Sequence, residues 1–179
     1  MALGPWASGY TKTYQRYLRP VFCHQANTAL TMTTGRVYLI PVEVERKMTI
    51  DCICVPLSGT VAGNMRVGVY ADNAETPAGG ALLVESASVA KAGTYRRQEV
   101  AIADLLIEAG LYWLAVQSDE ATTILLAEHN AFAIGGTLEG KQYDRGGGYG
   151  AFTNPCPAVV AASNATVILS ARIKSLARP

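Results

Sequence analysis

The sequence predicts an all-β protein built as an antiparallel β-sandwich. Three observations carry this. About nine or ten short segments alternate apolar with polar residues or are rich in β-branched and aromatic side chains. Turn-forming clusters of Gly, Pro, Asn, Asp and Ser separate them at intervals of about ten to fifteen residues. Hardly any stretch carries a helical period. Among sandwiches, a jelly roll is the expected topology.

Taken in order, residues 1–27 are expected to form an extended arm, including PWASGYTKTYQRYLRPVFCHQAN, and 28–179 a single β-sandwich domain. Tyr10, Tyr14 and Tyr17 would share one face of a short helix, yet no capping box precedes them. Arg36 to Val44 reads as a strand, and its Pro41 predicts an edge strand or a bulge there. Lys47 to Val55 follows, then a loop over Pro56 to Asn64. Met65 to Tyr70 sets Met65, Val67 and Val69 against Arg66, Gly68 and Tyr70. Ala81 to Ser86 and Thr94 to Ile102 are the next strands, and Ala101 to Glu108 (AIADLLIE) is the one segment that reads as a short helix. Leu111 to Gln117 (LYWLAVQ) is nearly apolar throughout, which predicts a central strand buried on both faces. Thr122 to Ala127 and Ala131 to Ile134 complete the body. A glycine-rich loop at 136–155 precedes two closing strands around a turn at Ser163-Asn164.

Half of the 179 residues are hydrophobic and only 16% are charged, against about 25% in ordinary globular chains. Abundant alanine explains part of this. Surface buried against other subunits, where charge is depleted, is the favoured explanation, since low charge and a near-neutral pI would otherwise promote precipitation. The net charge of +1 leaves no electrostatic footprint for nucleic acid. MALGPWASGY lacks the charged and apolar regions of a secretory signal, so cytosolic synthesis is expected. The richest apolar run, AIADLLIEAGLYWLAVQ, is interrupted by Asp104, Glu108 and Gly110, so no membrane span is expected.

Chemistry-bearing motifs are few. Cys23, Cys52, Cys54 and Cys156 lack zinc-site spacing. Cys52 and Cys54 would share a strand face with Ile50 as small buried hydrophobes, while pairing of Cys23 with Cys156 stays open. Neither His24 nor His129 sits in a nucleophile–base motif, and no dinucleotide loop follows a strand and opens a helix. No catalytic residue, cofactor or metal is therefore nominated. The loop holding Asp72, Asn73, Glu75 and Thr76 offers the oxygen ligands calcium takes, but Ala74 and Leu83 break the EF-hand frame. Turn chemistry accounts for the same residues: Asp and Asn leave the strand, Pro77 fixes the chain, and Gly79-Gly80 permits positive φ.

Three segments carry a family resemblance: GRVYLIPVEVERKMTIDCICV (Gly35 to Val55), MRVGVYADNAETPAGGALLVES (Met65 to Ser86) and IEAGLYWLAVQSD (Ile107 to Asp119). Together they resemble the β-sandwich domain of tailed-bacteriophage virion proteins, over about 85 residues of the body, in the right order. The motifs are architectural. The resemblance implies a jelly-roll module of head decorations, fibres or baseplates, located in the virion and assembled with three-fold or higher symmetry. It implies partners of two kinds: further copies, as a homotrimer, and other capsid or tail proteins. The expected interface residues are Trp6, Tyr10, Tyr14, Arg16, Tyr17 and Arg19 of the arm, since aromatics and Arg anchor interfaces. The expected exposed contact loops present Asp72, Asn73, Glu75 and Thr76, and Tyr143, Tyr149 and Phe152. The alternative is a receptor-binding module for host-surface glycan, with those last three rings as stacking surfaces.

Overall fold

The computed structural model describes residues 16–18, 28–57, 62–92, 97–120, 124–128, 140–146, 148–161 and 166–176. Among them the regular elements are all strands: β1 (Arg16–Leu18), β2 (Thr28–Thr31), β3 (Arg36–Val44), β4 (Met48–Pro56), β5 (Asn64–Ala71), β6 (Leu82–Glu85), β7 (Val89–Ala90), β8 (Arg97–Ile107), β9 (Gly110–Ser118), β10 (Ile124–Glu128), β11 (Lys141–Asp144), β12 (Val160–Ala161), β13 (Thr166–Val167) and β14 (Ser170–Leu176).

A large sheet runs β12-β11-β3-β9-β5-β6, with β7 also on β5, and a second sheet runs β1-β14-β4-β8. A small third sheet joins β13, β10 and β2. The two larger sheets form the sandwich, and the pairing is antiparallel. Strict alternation divides the large sheet's residues between two cores. Ile40, Val42 and Val44 of β3, Met65, Val67 and Val69 of β5, and Leu114 and Val116 of β9 meet Ile50, Ile53, Val55, Val100 and Ile107 of the second sheet. Val37 and Leu39 of β3, Tyr70 of β5, and Trp113 and Ala115 of β9 face the other way and pack with Tyr143, Phe152 and Cys156. β9 is thus buried on both faces, and Trp113 through Val116 are fully buried.

The second core is roofed by a strap. The chain over 148–161 crosses the outer face of the large sheet and places Phe152 and Cys156 on it. Gly68 makes room for it, because a Cβ there would lie 2.8 Å from the Phe152 ring. The Asn154-Pro155 peptide bond within the strap is cis.

Several expectations are corrected. Ala101 to Glu108 is strand up to Ile107, not helix. β8 pairs β4 at Cys52↔Ala101 and Ile50↔Leu105, so three residues of β8 bulge opposite Asp51. The bulge moves the inward positions from Val100 and Ile102 to Leu105 and Ile107, a spacing that imitates a helical face. The same irregularity separates Ile50 from the cysteines. Ile50, Ile53 and Val55 face the sandwich core, while Cys52 and Cys54 are buried without joining it. Pro41 lies inside the large sheet, in unbroken register with Trp113. It is tolerated because β11 pairs β3 only from Arg36 to Leu39, leaving a local edge at Pro41. Part of the glycine-rich loop is strand β11. Tyr17 lies in a strand, not on a helix. Ala131 to Ile134 and the Ser163-Asn164 turn lie outside the described residues.

Candidate functional site

The β5–β6 connection is a closed turn system. Ala71 N–H donates to Ala81 O at 2.9 Å and Asn73 N–H to Thr76 O at 2.8 Å. Ala74 and Glu75 adopt φ of 54° and 64°, so positive φ is not left to the glycines alone. Asp72 Oδ1 accepts from Trp113 Nε1 at 2.8 Å, and Oδ2 accepts from Glu75 N at 3.0 Å. Asn73 Nδ2 donates to Ala78 O, and Thr76 Oγ1 accepts from Ala78 N. The Asp72 carboxylate and the Thr76 hydroxyl are thus engaged in holding the turn and seating Trp113. Among the described residues no group of three His, Cys, Asp or Glu side chains could hold a metal ion. Asn73 and Glu75 are exposed at the tip, while Asp72 and Thr76 are half-buried.

The three rings of the glycine-rich segment separate. Tyr143 and Phe152 are buried, at 4% and 6% exposure, so they do not form an exposed contact loop. The reason is the second core: Tyr143 OH lies 2.9 Å from Tyr70 OH, which donates to Thr153 O at 2.7 Å. Burial, then this bond to Tyr143, pushes the Tyr70 hydroxyl far above its ordinary pKa. Tyr149 stays half-buried, with its OH 2.7 Å from Ser88 Oγ and the Arg66 guanidinium 5.9 Å from its ring centre.

Of the arm, Trp6, Tyr10, Tyr14 and Arg19 lie outside the described residues, as do His24, His129 and Cys23. Arg16 belongs to β1, which pairs with β14 through Arg16↔Ile173, Tyr17↔Arg172 and Leu18↔Ala171. Leu18 reaches the rim of the sandwich core. Tyr17 OH donates to Glu99 Oε1 at 2.5 Å, and the Arg97 guanidinium stacks 3.4 Å from the ring centre. Desolvation and the Glu99 bond push Tyr17 up to about 12. Glu99 Oε2 accepts from Arg172 Nη1 at 2.6 Å, and Arg172 is bidentate on Asp51 at 2.8 and 3.0 Å. The Arg172 bonds hold Asp51 below the usual carboxylate range. Lys174 and Asp104 extend this layer of ion pairs. Cys52 sits opposite Arg172, and Cys54 opposite Glu99. Contact with Cys54 and burial push the Cys52 thiol strongly upward.

Sequence reasoning singles out Tyr17 but not its receptors, Arg97 and Glu99, because Glu99 lies 82 positions away. A second unforeseen cluster joins β5, β7 and β9. Lys91, with a side chain at 0% exposure, donates to Ser118 Oγ at 2.8 Å and lies 3.6 Å from Asp119 Oδ1. Asp119 also accepts from Asn64 N at 2.6 Å and Asn64 Nδ2 at 2.7 Å. Burial raises Asp119, but the Asn64 donors and Lys91 outweigh it and hold the carboxyl below its ordinary range. Lys91 is lowered by burial against the pull of Asp119. These bonds fill both groups from within the fold, so the cluster acts as a pin at the sheet's end. No protein-family model matches the chain, and no curated protein matches it in sequence.

Proposed function

We propose that the chain is a non-enzymatic structural protein of a tailed-phage virion, a capsid decoration or tail component that works by oligomerising and docking on the particle. The observation that carries this reading is where the resembling segments lie in the fold. Gly35 to Val55 holds β3 and β4, Met65 to Ser86 holds β5 and β6, and Ile107 to Asp119 holds β9. β3, β9, β5 and β6 are neighbours in one sheet and β4 belongs to the sheet packed on it, so the resembling segments fall on strands of the sandwich itself. A jelly-roll topology and a trimeric state belong to the same proposal. Low charge content supports it, since subunit interfaces deplete charge. The glycan-binding alternative is weakened, because only Tyr149 of its three stacking rings reaches the surface.

Deletion of residues 1–20 tests the docking role. The truncated protein is expected to be lost from purified particles while its body still folds by circular dichroism. Normal incorporation of the truncated protein would remove the arm as the anchor.

A further inference from the structure

The cluster around Lys91 and Asp119 brings together a nucleophile, a carboxyl carbon and donors able to hold a developing charge. β5 pairs with both β7 and β9. Lys91 follows β7, and Asp119 follows β9. Main-chain bonds fix both residues to the start of β5. Lys91 N–H donates to Gly63 O at 2.9 Å, and Asp119 N–H donates to Asn64 O at 3.1 Å. Gly63, at φ of 83°, permits the close approach, because a Cβ there would collide with the Asp119 carboxylate. Lys91 Nζ lies 3.6 Å from Asp119 Oδ1, at the end of a side chain with 0% exposure. Ser118 is fully buried, and its Oγ accepts from Nζ at 2.8 Å, which steadies the nitrogen. Asn64 Nδ2 donates to Asp119 Oδ2 at 2.7 Å, and Asn64 N donates to Oδ1 at 2.6 Å.

We infer that Lys91 Nζ and Asp119 Cγ condense into an isopeptide bond that ties β7 to β9 across the start of β5. One ammonium proton passes to Oδ1 of Asp119, leaving an amine beside a carboxylic acid. The nitrogen lone pair attacks Cγ and forms the C–N bond. Charge that gathers on Oδ2 is held by Asn64 Nδ2–H, in the manner of an oxyanion hole. The bond from Cγ to Oδ1 then breaks, and that oxygen leaves as water with a second proton from the nitrogen. Ammonium and carboxylate thus become amide and water, with no oxidant or other reactant. Groups held at this separation by the fold gain the advantage of an intramolecular reaction. Burial lowers the lysine and eases loss of its proton. The Asn64 donors and Lys91 favour the ionised Asp119, so the acid form is scarce and the bond forms slowly.

Intact mass of the denatured full chain, followed over days after purification, tests this. The wild type is expected to fall about 18 Da, one water, below the mass of its sequence. Trypsin should no longer cut after Lys91, and the peptide 67–96 should stay joined to 98–141. Lys91→Met should keep its full mass. Asn64→Ala, which lacks the Nδ2 donor, should lose water severalfold more slowly. A wild type that keeps its full mass throughout overturns the crosslink. So does separate recovery of peptides 67–91 and 98–141 as the only products. A deficit that persists in Lys91→Met places the loss of water elsewhere in the chain, and overturns it too. The crosslink lies within one chain, so none of these results bears on the virion reading.

Discussion

Lys91 and Asp119 form an unequal pair, because the lysine side chain is fully buried while 24% of the aspartate side chain reaches solvent. Removing the carboxylate takes away the bonded counter-charge of an ammonium held in the interior, and breaking a buried pair this way costs up to about 3–5 kcal/mol. Removing the lysine leaves a carboxylate that still holds both donors of Asn64. Asp119→Asn should therefore destabilise more than Lys91→Met, by at least about 1 kcal/mol, in urea unfolding of the two variants. Equal losses would show that the pair is not asymmetric. Tyr17 makes a pH prediction. Its folded-state pKa is raised to about 12 from an ordinary 10.0, so its contribution is complete below pH 10 and disappears as pH rises through the folded value. The wild type should exceed Tyr17→Phe by about 1 kcal/mol at neutral pH. That difference should vanish near pH 12. A difference that persisted there would mean the hydroxyl proton does not support the clamp.

At the scale of elements, the strap over the second core depends on fit as well as on apolar area. Phe152 occupies the space that Gly68 leaves open. Gly68→Ala forces a Cβ against the ring and should cost about 1–3 kcal/mol. Phe152→Ala opens a cavity and should cost about 3–5 kcal/mol. In the double variant the clash is gone, so the total should fall short of the sum by at least about 0.5 kcal/mol. Strict additivity would mean the two do not share that space. Element boundaries were largely legible because alternation is a local signal: β3 is the predicted Arg36 to Val44, and β9 is the predicted central strand extended by one residue at each end. Two misreadings, the helix at Ala101 to Glu108 and the shared face of Ile50 with Cys52 and Cys54, have one cause. The bulge at Asp51 shifts the inward phase on both β4 and β8, and nothing in a sequence read at a fixed period of two announces such a shift.

For the whole molecule, the sandwich follows from patterning, whereas the second core does not. Trp113 reads as part of a strand buried on both faces and Tyr70 as set against the apolar face of its strand, and what roofs them both is a glycine-rich segment whose composition reads as an exposed loop. Its small residues allow close approach to the sheet, as Gly148 does beside Gly35. Burial of Tyr143 and Phe152 is the consequence, and it removes two rings from any contact surface. Among the described residues expected to make contacts, those left at the surface are Asn73 and Glu75 at the tip, the half-buried Asp72, Thr76 and Tyr149, and Tyr17 in its clamp. The proposed role stands or falls on assembly. Light scattering of the purified full chain over a concentration series measures it most directly. A stable multiple of the 19.0 kDa chain is expected, with three copies as the expected number, and a reduced multiple when residues 1–20 are deleted. A single 19.0 kDa species at every concentration would contradict it.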